Sequence, residues 1–347
     1  MIKIAVDGMG GDYAPEPIVK GSLMALEHFS NIKIILFGDK NKMAPYLKDH
    51  DRLEVVHTDN YLSMGEEDPI KQYRTNKEAS LFMAMQAVKD GKADAIVSAG
   101  PTQALVVGGH FIVRRMKEMK RVAIAPVIPN YYKKGIVLLD AGANVDFRPE
   151  HLLEYAIYSS IFAKLVLNRE NPKIALINIG TEETKGRTFD LEVYKLLKEN
   201  NHINFIGNIE PKEILTTEAD VVISDGFTAN IVMKTVEGTA KGMSLFLKDA
   251  LMKNFKTKLG ALLLKKQLNE FKKQMSPEEI GGALIMGLEG VVIKSQGASK
   301  ELGLFNGIRQ AKEMVENDVV NKVKEILSQT GEQTNDWFFK TTKNQIQ

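Results

Sequence analysis

Cysteine is absent from this chain of 347 residues, and only six histidines occur. The absence of cysteine excludes disulfide bonds, thiolate metal sites and a cysteine nucleophile. The histidines are scattered without an HExxH motif or another paired ligand spacing, and no G-x-S-x-G motif is present. We therefore expect neither a metal site nor an acyl-enzyme intermediate, and these absences favour chemistry that depends on position and charge.

Long apolar stretches are lacking as well. No run of eighteen apolar residues occurs, so we expect no transmembrane helix. The first residues, MIKIAVDGMGGD, include Asp7 and lack the apolar core of a signal peptide. We expect a cytoplasmic protein in which residues 1–330 form one large domain and residues 331–347 form a polar tail.

Short hydrophobic runs alternate with helical patterns along the chain. This alternation predicts an α/β fold in which a doubly wound, mostly parallel sheet carries helices on both faces. Ligands bind such sheets at the carboxyl ends of the strands. The predicted strands that end in glycine-containing or small polar loops are Ile2–Val6, Ala93–Ser98, Gly135–Asp140, Lys173–Ile179 and Val221–Ser224. A further single strand is predicted at Val122–Val127, and helices are predicted at Asp68–Lys92, from Ile231 onward and at Ile308–Leu327.

Several of these strand ends offer groups that can bind an anion. The loop that begins at Asp7 contains three glycines but does not fit the GxGxxG motif, which argues against nicotinamide binding. The loop after Lys173–Ile179 carries Lys185 between two glycines, although it also fits a solvated connection with ordinary surface charges. Thr102 and Asn230 lie at predicted helix starts, where each is either a ligand-binding residue or a cap.

The segment from residue 241 to 275 has a different character. It contains nine lysines and two acidic residues, a net charge of +7, with apolar residues at helical spacing. This pattern predicts a protruding hairpin of two basic amphipathic helices at about 241–276, with a break at Gly260. Two compatible interpretations are a dimerisation arm and a surface for anionic lipid or an acidic partner. Nucleic acid is disfavoured, because aromatic residues do not interleave the lysines.

Six blocks of sequence stand in order along nearly the whole chain. They are DGMGGDYAPE (7–16), VSAGPTQAL (97–105), LLDAGANVD (138–146), INIGTEETKG (177–186), SDGFTANIVMK (224–234) and GGALIMGLEGVVIKSQGAS (281–299). Together they resemble the signature blocks of the bacterial phosphate acyltransferase family, although the chain departs from the usual pattern at Pro101-Thr102-Gln103, Ala229 and Gln296. The family transfers an acyl group from acyl-acyl-carrier protein to phosphate during phospholipid synthesis.

The resemblance implies a three-layer α/β/α fold similar to those of isocitrate dehydrogenases and phosphate acetyltransferase. It implies a homodimer, bound peripherally to the inner face of the cell membrane through the hairpin. It also implies formation of acyl phosphate without metal, nucleotide or other cofactor, and delivery of that product to a downstream glycerol-3-phosphate acyltransferase.

Within this interpretation, Lys185 and Asn230 are the expected catalytic residues. Lys185 neutralises charge as phosphate attacks the thioester, and Asn230 donates to the developing oxyanion or orients the acyl carbonyl. The residues expected to bind phosphate or substrate follow predicted strands; they are Asp7, Gly10, Gly11, Ser98, Gly100, Thr102, Asn144, Asp225, Gly226 and Thr228. The residues expected to contact membrane or partner are Lys256, Lys258, Leu259, Leu262, Leu263, Lys265 and Lys266.

Three other functions remain open at this level. One is a phosphotransacetylase-like enzyme that uses coenzyme A, and another is a nicotinamide-dependent dehydrogenase. The third is a non-catalytic membrane scaffold for lipid enzymes.

Overall fold

Hydrophobic strands alternate with amphipathic helices in the computed structural model, which describes residues 1–65, 68–132, 134–274 and 281–329. The expected tail at 331–347 lies outside the described residues. The strands are β1 (Ile2–Asp7), β2 (Ile32–Gly38), β3 (Leu53–His57), β4 (Ala95–Ser98), β5 (Ala123–Ala125), β6 (Val127–Ile128), β7 (Ile136–Leu139), β8 (Lys173–Ile177), β9 (Asn204–Ile209), β10 (Val221–Ile223), β11 (Ala283–Met286) and β12 (Val291–Lys294). The helices are α1 (Glu16–His28), α2 (Lys40–Met43), α3 (Pro69–Thr75), α4 (Ser80–Lys89), α5 (Thr102–Gly108), α6 (Pro149–Leu165), α7 (Thr188–Glu199), α8 (Gly226–Met252), α9 (Phe255–Leu263), α10 (Lys265–Gln274) and α11 (Glu301–Glu316).

The described strands form two mostly parallel sheets. The first has seven strands in the order β3-β2-β1-β4-β12-β11-β5, and the second has five in the order β6-β7-β10-β8-β9. Antiparallel pairing is confined to β11 in the first sheet and to β6 in the second. The carboxyl ends of β1, β4 and β12 therefore share one edge of the first sheet, and those of β7, β10 and β8 share one edge of the second. The predicted α/β class is confirmed.

The strand expected at Val122–Val127 divides at Pro126, and this division separates the two sheets. β5 pairs with β11 in the first sheet, whereas β6 pairs with β7 in the second. Proline has no N–H to donate to a ladder and favours a strand break. The chain thus passes from one sheet to the other, while Leu138 N donates to Pro126 O at 3.0 Å and keeps the two edges adjacent.

Alternate residues of each strand face opposite layers of helices. In β1, Ile4 and Val6 pack on the side of α1 and α11, and Ala5 packs on the side of α4. In β8, Leu176 faces the same layer as Ile4 and Val6, which here is formed by α6 with its fully buried Tyr155. Because this core continues through both sheets, the two strand-end edges are held in one packed body.

Two predicted helices have different limits in the structure. The helix expected at Asp68–Lys92 divides into α3 and α4, with a turn at 76–79 between them. The helix expected at Ile308–Leu327 begins earlier, with α11, and a second helical stretch covers 319–329. The interruption lies at Asp318, whose φ of 51° is in the left-handed region and cannot continue a helix.

The basic hairpin begins as the continuation of α8, which is 27 residues long. This helix starts before the expected Ile231, because Asp225 caps it at Gly226. The predicted break at Gly260 is wrong, since that residue lies inside α9. The chain turns instead at Asn254, whose side chain accepts from Thr257 N at 3.0 Å, and again before α10. In the described part of the chain, no helix has the length and apolar character needed to cross a bilayer.

Candidate active site

A buried carboxylate organises the strand ends of the first sheet. Asp7 accepts hydrogen bonds from Ser80 Oγ at 2.6 Å and from Ser98 Oγ at 2.7 Å. Ser98 Oγ in turn accepts from Gly100 N at 2.9 Å. Burial raises the pKa of the Asp7 carboxyl above its ordinary value, although these hydrogen bonds oppose the rise. The predicted residues Asp7, Ser98 and Gly100 thus form one connected group that fixes two loops.

The glycines of the first loop permit close packing at this edge. A Cβ on Gly10 would overlap Asp7 Oδ2 and lie 2.7 Å from Gly100 N, so only glycine fits there. Gly11 has a φ of +118°, which side chains other than hydrogen rarely allow. The next residue, Asp12, donates its N–H to Gly297 O at 2.8 Å. Three strand-end loops therefore meet at the ends of β1, β4 and β12.

A cavity of about 490 Å³ lies beside this group. Thr102 is at its wall, where α5 begins, and the side chains around it are mostly apolar. Its lining residues are Leu62, Met64, Gly65, Pro69, Gln72, Pro101, Thr102, Gln103 and Ala104. The cavity, whose wall is both polar and apolar, lies next to the loops that pack around Gly100.

In the second sheet, Asp140 at the end of β7 shapes the following loop. Its carboxylate accepts from Ala143 N at 3.0 Å and from Asn144 N and Nδ2, both at 2.9 Å. Burial raises the pKa of the Asp140 carboxyl despite these bonds. Asn144 Nδ2 also donates to Val122 O at 2.6 Å. The predicted binding residue Asn144 therefore contributes its side-chain amide to the structure of the loop.

Asp225 joins the α8 N-terminus to the loop after β8. It accepts from Thr228 N and Oγ1, both at 2.9 Å, and from Arg187 Nη2 at 2.6 Å. Arg187 also contacts Asp190 at 2.8 Å. Burial raises the pKa of Asp225, but the hydrogen bonds from Arg187 and Thr228 outweigh burial and lower it overall. Arg187 was not among the predicted site residues, yet its ion pair with Asp225 links the loop after β8 to the start of α8. We call this link the clamp.

The two expected catalytic residues follow adjacent strands of this sheet. Asn230 lies in the first turns of α8 after β10, and its Nδ2 donates to Ala141 O at 2.8 Å. Lys185 lies in the loop after β8, which Asn178 closes by donating to Lys185 O at 2.9 Å. The Lys185 side chain is exposed and forms no ion pair within the described residues. Lys185 and Asn230 are therefore at the same sheet edge as Gly226.

The predicted membrane or partner residues lie apart from both edges. Lys256, Lys258, Leu259, Leu262 and Leu263 are on α9, and Lys265 and Lys266 begin α10. All seven are exposed or partly exposed.

One group of side chains in the described residues has the spacing of a metal site. Ligand atoms of Asp39, His57 and Asp59 lie within 4.8 Å of one another near the ends of β2 and β3. Asp39 already accepts hydrogen bonds from Asn41 N and Lys42 N, where it caps α2. These contacts give Asp39 a structural role at the end of β2, the strand that neighbours β1.

Comparison with known proteins identifies the family. A family described as "Fatty acid synthesis protein" matches residues 2–322. The phosphate acyltransferase of Acholeplasma laidlawii is 53% identical over 329 residues, which cover 94% of this chain and 98% of that protein. The chain belongs to the phosphate acyltransferase family. The corresponding protein of a Geobacillus species is 44% identical, with 94% of this chain and 99% of that protein covered.

Solved structures share the fold of this chain at low sequence identity. A phosphotransacetylase from Streptococcus pyogenes superposes with a TM-score of 0.60 at 15% identity, covering 91% of this chain and 94% of that one. A branched-chain phosphotransacylase from Enterococcus faecalis gives 0.57 at 16% identity, covering 91% and 99%. These likenesses show the fold of the chain. The family model and the relatives above confirm the resemblance drawn from the six sequence blocks.

Replacing Arg187 with methionine tests the clamp between the loops. Because the Arg187 side chain is 60% exposed, we expect the free energy of unfolding to fall by only about 1 kcal/mol. Backbone amides in the 178–187 loop should exchange with solvent roughly fivefold faster, which is the change that about 1 kcal/mol produces, since Asp225 no longer holds the loop. Hydrogen–deuterium exchange and denaturant unfolding measure the two effects. Arg309→Met on α11 is the control, and loop exchange equal to that of the parent protein would contradict the clamp.

Proposed function

We propose that this protein transfers a long-chain acyl group from acyl-carrier protein to inorganic phosphate, forming acyl phosphate and free carrier protein. The observation that carries the proposal is the position of Lys185 after β8 and of Asn230 at the start of α8 after the adjacent strand β10, in a chain of the phosphate acyltransferase family. Lys185 lacks a carboxylate partner among the described residues, so its charge is available to a substrate.

The reaction needs no covalent enzyme intermediate. An oxygen of phosphate attacks the thioester carbonyl carbon, so that a C–O bond forms and the carbonyl oxygen becomes an oxyanion. The oxyanion then returns its electron pair, the C–S bond breaks, and the carrier thiolate leaves and takes a proton from water. Phosphate is already anionic near neutral pH and therefore requires no strong general base. The protein supplies orientation and stabilises negative charge.

The proposed roles follow from the contacts at the second sheet edge. Lys185 neutralises phosphate, and the first N–H groups of α8, at Gly226, add the positive end of a helix dipole. Asn230 Nδ2 carries two hydrogens and uses one for Ala141 O, so the second is free to donate to the oxyanion. We assign the backbone around Gly10, Gly11, Gly100 and Thr102 to substrate binding from the first sheet edge.

The remaining predicted binding residues act by holding these loops in place. Asp7 and Ser98 fix the first edge, and Asn144, Asp225 and Thr228 fix the second. Their side chains therefore position the groups that meet the substrate.

Alanine replacements of Lys185 and Asn230 test the catalytic assignment. Loss of one oxyanion or charge-neutralising donor removes roughly a hundredfold in turnover, so we expect at least that loss in Lys185→Ala and in Asn230→Ala, with unfolding temperatures close to the parent. Lys212→Ala, at another exposed lysine, is the control for loss of charge. Near-parent turnover in either variant would remove that residue from the mechanism.

The substrate is tested by product analysis. Mass spectrometry of reactions that contain phosphate and either palmitoyl-carrier protein or acetyl-coenzyme A distinguishes the acyl donors. We expect palmitoyl phosphate from the carrier-protein thioester and little product from acetyl-coenzyme A. Acetyl phosphate as the main product would favour the coenzyme A-dependent alternative. Absence of both products, together with vesicle and carrier-protein binding, would favour a scaffold.

We assign the hairpin to the membrane surface and to a second copy of the chain. Leu262 and Leu263 are 65% and 77% exposed, and Phe246 and Phe255 are exposed even more than Leu262. Exposed apolar area on this scale marks an interaction surface. The surrounding lysines favour anionic lipid or an acidic carrier protein. A peripheral position at the inner membrane face would deliver acyl phosphate to a glycerol-3-phosphate acyltransferase.

The double replacement Leu262→Glu with Leu263→Glu tests membrane binding. In flotation with vesicles that contain phosphatidylglycerol, the parent protein should rise with the vesicles and the variant should stay behind. The reason is that two carboxylates in α9 oppose insertion of this helix into lipid. Salt should also weaken flotation of the parent, since screening reduces the attraction of lysines to lipid. Leu191→Glu with Ile206→Glu, at exposed apolar positions outside the hairpin, should float normally. A hairpin variant that floats as well as the parent would contradict the membrane assignment.

A further inference from the structure

A buried lysine lies at the first sheet edge, and the mechanism above does not use it. Lys294 is the last residue of β12 and is aligned with Ser98 at the end of β4. It is 9% exposed. The adjacent Ser295 N donates to Ser98 O at 2.9 Å, which ties the end of β12 to the group around Asp7. Lys294 therefore emerges among the three loops that meet at this edge.

The ammonium group of Lys294 has few partners. Nζ donates to Ser295 O at 2.8 Å, and Lys294 forms no ion pair within the part of the chain that the structure describes. Burial lowers the pKa of Lys294 to about 8; the charge of Asp12 opposes this shift and that of Lys234 adds to it. At neutral pH the group stays mostly charged. A charged ammonium with spare donors is unfavourable in a buried place unless an anion reaches it.

A second lysine, Lys234, lies on α8, the helix that follows β10 of the second sheet. It follows Asn230 by four residues on α8, so both side chains lie on one face of the helix. Asn230 contacts Ala141 O at the end of β7, whereas the charge of Lys234 acts on Lys294. The positive charge of Lys234 on α8 thus acts on that of Lys294 on β12. Lys234 is exposed and pairs with Glu237 at 2.9 Å, which leaves Lys294 as the buried member.

We propose that Lys294 is an anion-binding residue whose ammonium holds an oxygen of the phosphate substrate at the junction of the two sheet edges, with Lys234 adding positive charge there. The identity of the anion rests on the proposed function, whereas the binding of an anion rests on the burial and sparse pairing of Lys294. The competing role is structural, in which Lys294 only fastens the 295–299 loop through Ser295 O.

Lys294→Met separates the two roles, because methionine keeps most of the volume and removes the charge. We expect the KM for phosphate to rise about tenfold or more, as lost charged hydrogen bonds imply, with the KM for the acyl thioester changed by less than about twofold. The unfolding temperature without phosphate should stay equal or rise, since an unpaired buried charge is removed. Phosphate should raise the unfolding temperature of the parent but not of the variant. Lys294→Arg keeps the charge and should recover part of the phosphate response.

The matched control is Lys173→Met, which neutralises a strand lysine at the opposite edge of the second sheet. Its response to phosphate should equal that of the parent. An unchanged KM for phosphate together with an unchanged thermal response in Lys294→Met would overturn the proposal. Loss of folding in both Lys294→Met and Lys294→Gln would also overturn it, in favour of the structural role.

The thermal measurement also separates this inference from the proposed reaction. If the parent forms no acyl phosphate, yet phosphate stabilises the parent and not Lys294→Met, the anion site stands and the proposed function fails. If Lys294→Met forms acyl phosphate with the parent's KM for phosphate, the anion assignment fails and the proposed function stands.

Discussion

Buried aspartates at strand ends are the constraint on which both halves of the site depend. Asp7 ends β1, Asp140 directly follows β7, and Asp225 lies two residues after β10. Each carboxylate accepts hydrogen bonds from N–H or O–H groups near the strand ends. A buried carboxylate is unfavourable without such donors, so each loop is held in the one conformation that supplies them. The glycines at Gly10 and Gly226 then allow neighbouring loops to pack against the carboxylates.

This arrangement explains which parts of the site could be predicted from sequence. The short hydrophobic runs and the small-residue loops after them located these strand ends to within two residues, since such patterns follow from local geometry. The chemical role of the aspartates was harder to infer. A carboxylate after a strand is equally compatible with ligand binding and with loop fixation, and only the partners of Asp7 and Asp140 distinguish the two.

Other features depend on tertiary contacts that a local pattern does not contain. Pro126 reads as part of one apolar strand, but the missing N–H allows the chain to change sheets there. Lys294 reads as the polar end of a strand, and its burial becomes visible only when β4 and β11 flank it. Arg187 reads as a surface charge, because its partner Asp225 is distant in sequence. The fold class was thus accessible, whereas the electrostatic connections across the site were not.

The helix α8 connects the site to the hairpin in a single element. Its N-terminus lies against the Asp140 loop, while its C-terminal half is exposed and packs with α9. At 1.5 Å of rise per residue, a helix of this length spans roughly 40 Å. One helix of 27 residues therefore joins the second sheet edge to the hairpin.

The negative and positive side chains at the two sheet edges differ in how far other groups of the protein compensate their charges. The aspartates at the strand ends are satisfied by donors within the protein, so their negative charge is largely compensated. Lys185 and Lys294 form no ion pairs within the described residues, and their positive charge is not compensated in this way. In the proposed reaction, these two positive charges attract the phosphate anion to the sheet edges. The same charges would then stabilise the oxyanion that forms when phosphate attacks a thioester. Under that proposal, binding of the nucleophile and stabilisation of the transition state arise from one arrangement of charges.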